Sequence, residues 1–251
     1  MARRLTASDR SALIRLASTL PVGSSERRAI LAAWFPDEPY GLERPDPFGS
    51  PWENHPKPKY NVPGKHILDQ AEVYGDAKVF GDAKVYDRAK LYGDAVMSDN
   101  AQVLGNAELS GVAQVYGDGK VYDQAKLYGN ARVHYQAQVY GDAKVYGNAE
   151  VEGVAQVSGE AQVFGRAKVS GNAKVYGSAK VYGKAKVGGD AEVYAGAEVY
   201  GDAKVIGSAQ VSGNARIGGT AVILGGVWDG SEGEILEGRW KAPGVPARPR
   251  S

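Results

Sequence analysis

The 251-residue chain contains no cysteine, only three histidines and no long apolar segment. Without cysteine, disulfide bonds and thiolate metal sites are excluded. Thirty basic residues against 29 acidic residues leave a net charge of +1, so we expect no nucleic-acid partner. The first twenty residues carry no apolar run, and we therefore expect neither a signal peptide nor a membrane span. These absences predict a cytoplasmic or virion-associated protein.

The chain is instead rich in a six-residue unit, A-x-V-x-G-x, which recurs without insertion from Ala71 to Ile223. Steps of six residues from Ala71 to Ala221 give 26 positions, of which 25 are alanine and one is Gly119. Two residues after each of these positions stands Val, Ile, Leu or Met. A fixed period of six residues is typical of a β-helix.

Each unit has a direct physical interpretation. The first and third residues of A-K-V share one side of a short strand, so the alanine and valine face inward and the lysine faces water. The glycine that follows supplies the positive φ of a sharp corner. Five positions replace it, namely Asp87, Asp99, Asp123, Tyr135 and Ala195. Three units close an 18-residue triangular coil, which predicts a rod of roughly 40 Å at about 4.8 Å per coil.

The units resemble the hexapeptide repeats of the left-handed parallel β-helix superfamily. In that pattern a small residue follows an aliphatic one four positions later, as Ala77 follows Val73. The wording V-Y-G-D-A-K is most similar to YdcK-type repeat proteins, which carry an acetyltransferase label. The likeness covers about 60% of the chain, with glycine two residues after the aliphatic position instead of one. It implies an all-β, left-handed, single-stranded triangular solenoid.

Four segments are predicted along the chain. Apolar stripes indicate a short N-terminal helical hairpin over residues 1–35, and eight prolines indicate an extended linker over 36–66. The β-helix follows over 67–225, and a cap with a tail rich in Pro and Arg follows over 226–251. The hairpin either rests on the solenoid or anchors it to a larger assembly. We expect the last coil to be sealed by apolar residues of the cap: Val227, Trp228, Ile235, Leu236 and Trp240.

Residues eighteen positions apart stack on one corner of the coil. One corner is aromatic at seven of nine positions, and we call these residues the aromatic column: Tyr74, Tyr92, Tyr128, Tyr146, Phe164, Tyr182 and Tyr200. A second corner holds five tyrosines among eight positions, whereas the third holds only Phe80 and Tyr116. The column either braces neighbouring coils by ring stacking or forms an interface with another subunit. A homo-oligomer or a larger protein assembly is the expected partner.

Catalytic residues are sparse. Only His134 lies within the repeats, beside Tyr135 in a glycine position, and it is a weak candidate for a general base. Catalysis would need a neighbouring carboxylate and a cleft, and an uninterrupted repeat offers no loop to build one. The histidines are scattered, so we expect no metal site, and we expect no cofactor.

A basic face is the remaining surface feature. Five cations on neighbouring coils form a candidate anion patch: Arg166, Lys168, Lys184, Lys186 and Lys204. A solvated lysine face is the simpler interpretation.

Taken together, the pattern predicts a rigid structural rod, a spacer or adhesive scaffold within a bacterial or phage assembly. The alternatives are a hexapeptide-class acyltransferase and a self-polymerising scaffold that resembles the bactofilins.

Overall fold

The computed structural model describes residues 67–242 and the backbone of residues 245–246. The described chain forms a parallel β-solenoid of about nine turns built from three sheets, which confirms the predicted all-β coil. The predicted hairpin over 1–35 and the linker over 36–66 lie outside the described residues, and the left-handed sense stays a prediction. No helix capable of crossing a membrane is present between residues 67 and 242.

Each coil contributes one short strand to each sheet. The first sheet contains β1 (Glu72–Val73), β4 (Lys90–Leu91), β7 (Glu108–Leu109), β10 (Lys126–Gly129), β13 (Lys144–Gly147), β16 (Gln162–Val163), β19 (Lys180–Val181), β22 (Glu198–Val199), β25 (Arg216–Ile217) and β28 (Glu234–Ile235). The second sheet contains β2 (Lys78–Val79), β5 (Val96–Met97), β8 (Gln114–Val115), β11 (Arg132–Val133), β14 (Glu150–Val151), β17 (Lys168–Val169), β20 (Lys186–Val187), β23 (Lys204–Val205), β26 (Val222–Ile223), β29 (Arg239–Ala242) and β30 (Val245–Pro246). The third sheet contains β3 (Lys84–Val85), β6 (Gln102–Val103), β9 (Lys120–Val121), β12 (Gln138–Val139), β15 (Gln156–Val157), β18 (Lys174–Val175), β21 (Glu192–Val193), β24 (Gln210–Val211) and β27 (Val227–Trp228).

The pairing between coils follows a constant offset. Glu72 pairs with Lys90 at the start of the solenoid, and Lys204 pairs with Val222 near its end, in both cases eighteen residues apart. Backbone bonds between coils accompany this pairing, as where the Tyr74 N–H donates to the Leu91 carbonyl at 2.8 Å. In the last turn the offset falls to seventeen residues at two pairs: Gln210 pairs with Val227, and Val222 pairs with Arg239.

The core consists of the alanine and aliphatic positions of the repeat. Ala143 and Val145, near the middle of the rod, are both 0% exposed, and Lys144 between them points outward. The five residues that replace glycine at corners all adopt positive φ, from 56° at Asp87 to 62° at Asp99 and Asp123. Both the inward face and the corner conformation predicted from the repeat are therefore confirmed.

The C-terminal end is closed by two tryptophans. Trp228 is 1% exposed, and its indole N–H donates to the Gly225 carbonyl at 2.8 Å. Its ring meets the Trp240 ring edge-on, with centroids 6.3 Å apart. Ile235 also packs on the core. Of the five residues expected to seal the coil, Val227 and Leu236 do not do so: they are 56% and 49% exposed, because their strand and turn positions point outward.

Candidate functional site

From Tyr128 to Tyr200 the aromatic column forms a continuous ladder of stacked rings along one corner. Ring centroids are 4.7 Å apart for Tyr128 and Tyr146, and 4.8 Å apart for Tyr146 and Phe164. Phe164 and Tyr182 follow at 4.9 Å, and Tyr182 and Tyr200 at 5.4 Å. Each inner ring thus has both faces covered by its neighbours. The ladder offers ring edges to a partner and no open face for a sugar or a base to stack upon.

The tyrosine hydroxyls also find partners within the solenoid. Tyr146 donates to Gln162 at 3.4 Å, and Tyr182 donates to Glu198 at 3.3 Å, each sixteen residues later. Tyr74 donates to Glu72, and Tyr92 is 7% exposed. Tyr200 leans over Gly218, and its hydroxyl donates to the Glu234 carboxylate.

Burial raises the pKa of Tyr128 and of Tyr146 above the ordinary value of 10.0. The column is therefore neutral at physiological pH, and the hydroxyls of four of its tyrosines are hydrogen-bonded within one chain: Tyr74, Tyr146, Tyr182 and Tyr200.

The third corner holds a different cluster, centred on His134. This residue follows β11 directly, and its ring stacks on Tyr116 of the preceding coil with centroids 4.7 Å apart and planes 12° apart. The Tyr135 ring lies 4.9 Å away at 40° to the imidazole. His134 is only 6% exposed. Tyr135, by contrast, is 63% exposed with φ at 57°, a conformation that a bulky residue seldom adopts.

Two carboxylates of the next coil face the imidazole. Nε2 of His134 lies 2.9 Å from Oε1 of Glu150 and 3.6 Å from Oε2 of Glu152. The Lys168 ammonium, one coil further, lies 3.3 Å from Oε2 of Glu150 and 2.8 Å from Oε1 of Glu152. Each carboxylate thus offers one oxygen to the imidazole and the other to the ammonium. We call His134, Glu150, Glu152 and Lys168 the His134 cluster.

The electrostatics of the cluster favour its charged groups. Burial acts to raise the pKa of Glu150, but hydrogen bonds from His134 and Lys168 and the Lys168 charge outweigh it, and the pKa lies below its ordinary value. Burial acts to lower the pKa of Lys168, and the bonds and charges of Glu152 and Glu150 reverse this, so the pKa is raised. The glutamate and the lysine therefore stabilise each other as an ion pair.

The five predicted anion-patch residues have separate environments. Lys168 belongs to the His134 cluster, and the Lys184 ammonium lies 3.8 Å from the Asp202 carboxylate. Lys186 and Lys204 pair in register on the second sheet, so their side chains project from adjacent coils. Among the described residues, Arg166, Lys186 and Lys204 have no ion-pair partner. His55 and His66 lie outside the described residues.

Reasoning from the sequence missed the two carboxylates beside His134. They lie sixteen and eighteen residues after it in the sequence, although the three side chains are neighbours on adjacent coils. Writing the repeats as coils of eighteen would have placed Glu152 directly after His134 in the same corner column, and Glu150 beside it. A comparison with models of protein families and with curated proteins finds no match for this sequence.

Proposed function

We propose that this protein is a rigid structural solenoid, a spacer or adhesive scaffold that presents its side faces within a larger bacterial or phage assembly. The observation that carries the proposal is the unbroken eighteen-residue offset between coils from Glu72 to Val222. No loop leaves this run, so its sides are flat faces and corners. Flat faces suit a partner surface better than a small substrate.

The side chains on these faces support a structural role. On the first sheet, oppositely charged residues pair between coils, as Lys126 does with Glu108 at 3.1 Å and Lys180 with Glu198 at 3.5 Å. The aromatic column runs along the adjoining corner. Such ladders resist bending, because each coil is held to the next by both backbone and side-chain contacts. We also propose that the repeats are related to those of hexapeptide-repeat and YdcK-type proteins, from the six-residue unit that they share.

Solution mass and particle shape test the scaffold role. Analytical ultracentrifugation of the full chain should give an oligomer, and electron microscopy should show rods of uniform length. A monomer at all protein concentrations would contradict the assembly part of the proposal. Filaments that grow with concentration would favour the self-polymerising alternative instead.

An acyltransferase is the second candidate, and one observation favours it. The contact between His134 and Glu150 supplies the carboxylate that a histidine base requires. However, Nε2 faces the two carboxylates, and His134 is 6% exposed with its ring stacked on Tyr116, so the other ring nitrogen, Nδ1, has little access to an acceptor. We therefore expect no acetyl-CoA turnover. Turnover that disappears in His134→Ala would establish the enzyme and overturn the scaffold role.

A further inference from the structure

The His134 cluster shares one contact with the other two corners and adds a second carboxylate to it. There, a tyrosine after a strand donates its hydroxyl to the side chain sixteen residues later, as Tyr122 does to Gln138 and Tyr176 does to Glu192. His134 occupies the equivalent position and contacts Glu150 in the same way. The cluster adds Glu152, a second carboxylate eighteen residues on, where the aromatic column has another ring. Three metal-ligating side chains therefore meet at one corner.

We propose that the His134 cluster binds a divalent transition-metal ion of the zinc class. The ion would be held by Nε2 of His134 and by one carboxylate oxygen each from Glu150 and Glu152. These three side chains place ligand atoms within 4.8 Å of one another. One imidazole with two carboxylates is a donor set that zinc accepts, and a fourth position remains for water.

The two distances from Nε2 fit an ion with small adjustments. Tetrahedral zinc, with bonds of about 2.0–2.2 Å, requires ligand atoms about 3.3–3.5 Å apart. The observed separations from Nε2, 2.9 Å to Glu150 and 3.6 Å to Glu152, lie on either side of that range. Glu150 must retreat by a few tenths of an ångström and Glu152 must approach slightly. The ion would bind the Nε2 lone pair in place of a proton, and the neutral imidazole would then carry its one proton on Nδ1.

Lys168 does not compete with the ion for the same oxygen atoms. Its ammonium contacts Oε2 of Glu150 and Oε1 of Glu152, whereas the imidazole faces Oε1 of Glu150 and Oε2 of Glu152. The lysine therefore fixes the orientation of both carboxylates, as groups behind metal ligands commonly do. With a neutral imidazole, the two carboxylates and the ammonium leave one negative charge, which favours a divalent cation.

The imidazole is held in place before any ion arrives. Tyr116 covers one face of the ring and Tyr135 lies against it at an angle, so the ring has little freedom to rotate. The two glutamate side chains retain 23% exposure each, which gives an ion a route from solvent. Imidazole nitrogen favours zinc, copper, nickel and iron over magnesium and calcium, which prefer oxygen. The site therefore selects a transition metal.

Calorimetric titration of the chelator-treated full chain with zinc tests the proposal, and cobalt substitution provides an absorption spectrum of the bound ion. We expect one ion per chain, a rise in melting temperature with zinc, and no competition by excess magnesium. His134→Tyr and Glu152→Gln should each abolish this binding. Tyrosine is the residue that equivalent corners carry, and Gln keeps the shape of Glu, so both variants should fold. Circular dichroism checks this, and Glu152→Gln decides if His134→Tyr fails to fold.

Two control variants separate this site from incidental binding. Glu192→Gln removes a carboxylate that Tyr176 and Lys174 contact but that no imidazole faces, and it should bind zinc as the parent does. The double variant His55→Gln/His66→Gln should also retain binding. Absence of saturable zinc binding would overturn the proposal and leave an ion-pair network. Loss of binding in the double variant alone would assign the ion elsewhere, and effective competition by magnesium would refute the assigned metal class.

Discussion

Nε2 of His134 lies 2.9 Å from Oε1 of Glu150, and the Tyr122 hydroxyl lies 3.2 Å from Oε1 of Gln138 at the same separation of sixteen residues. The imidazole thus occupies a position that tyrosine fills most often at the other two corners. The backbone imposes this relation at each corner, and the side chain decides what chemistry results. A bracing contact and a metal-ligand set therefore differ by only a few residues.

The first prediction concerns the inward alanines. Ala143→Leu should destabilise the protein by more than about 1–3 kcal/mol, because coils above and below prevent relief of overpacking. Ala143 is fully buried, and its neighbour Lys144 projects outward. Lys144→Leu should leave the free energy of unfolding nearly unchanged. Urea denaturation measures both, and equal losses would show that the assignment of inside and outside is wrong.

The second prediction concerns the aromatic column. Replacement of Tyr128, Tyr146 and Tyr182 with serine should lower the melting temperature, since each stacked pair contributes about 0.5–1.5 kcal/mol. Serine already stands at this corner at Ser110, so the coil tolerates it. If the column is also an interface, light scattering should show that the triple variant has a lower molecular mass and remains folded.

A matched variant on the sparse corner controls for the number of changes. Ser98, Ser170 and Ile206 replaced together with alanine should alter neither the mass nor, appreciably, the melting temperature. Should the tyrosine variant lose stability and keep its mass, the column would be a brace only.

The third prediction concerns alkaline pH. Burial raises the pKa of Tyr128 and of Tyr146 above the unfolded value of 10.0. A raised pKa in the folded state means that the stabilisation is complete below pH 10.0 and is lost as the pH rises through the folded pKa. Phenylalanine at positions 128, 146 and 182 keeps the ring stack without the ionisable group, as Phe164 does naturally.

We therefore expect melting temperatures measured above pH 10 to fall less for the triple Phe variant than for the parent. Lysine deprotonation affects both proteins alike and cancels in the comparison. Identical alkaline profiles would mean that folding does not raise the pKa of these tyrosines.

The fourth prediction concerns Tyr135, a tyrosine with φ at 57° between two glycine corners. Tyr135→Gly should stabilise the protein by about 1 kcal/mol, because it relieves a left-handed conformation that L-residues avoid. Gly153→Ala is the opposite change. Its Cβ would meet the Gly171 carbonyl oxygen at 2.9 Å, so it should destabilise. Thermal unfolding ranks the three proteins. A less stable Tyr135→Gly would show that the ring contact with His134 outweighs the backbone strain.

The sequence predicts the core and the corners well because both depend on local, repeated rules. Alternation along a strand places Ala143 and Val145 inward, and a glycine or aspartate at each corner follows from the required φ. Val227 could not be placed in this way, because it lies where the offset between coils falls to seventeen residues. The His134 cluster was missed because its members lie sixteen, eighteen and thirty-four residues from His134 along the chain, and only the eighteen-residue register of the coils brings them together.

The described core repeats every six residues, whereas the surface ladders repeat every eighteen. Every inward position is filled by nearly the same small and branched residues. A six-residue unit would therefore pack equally well in any of the three sheets. Removal of one six-residue unit would leave the interior filled and would turn all later surface residues by one third of a coil. Every tyrosine stack, ion pair or cluster contact that crosses the deletion would then lose its partner. Contacts between surface side chains, and not core packing, therefore determine which six-residue unit lies on which of the three sheets.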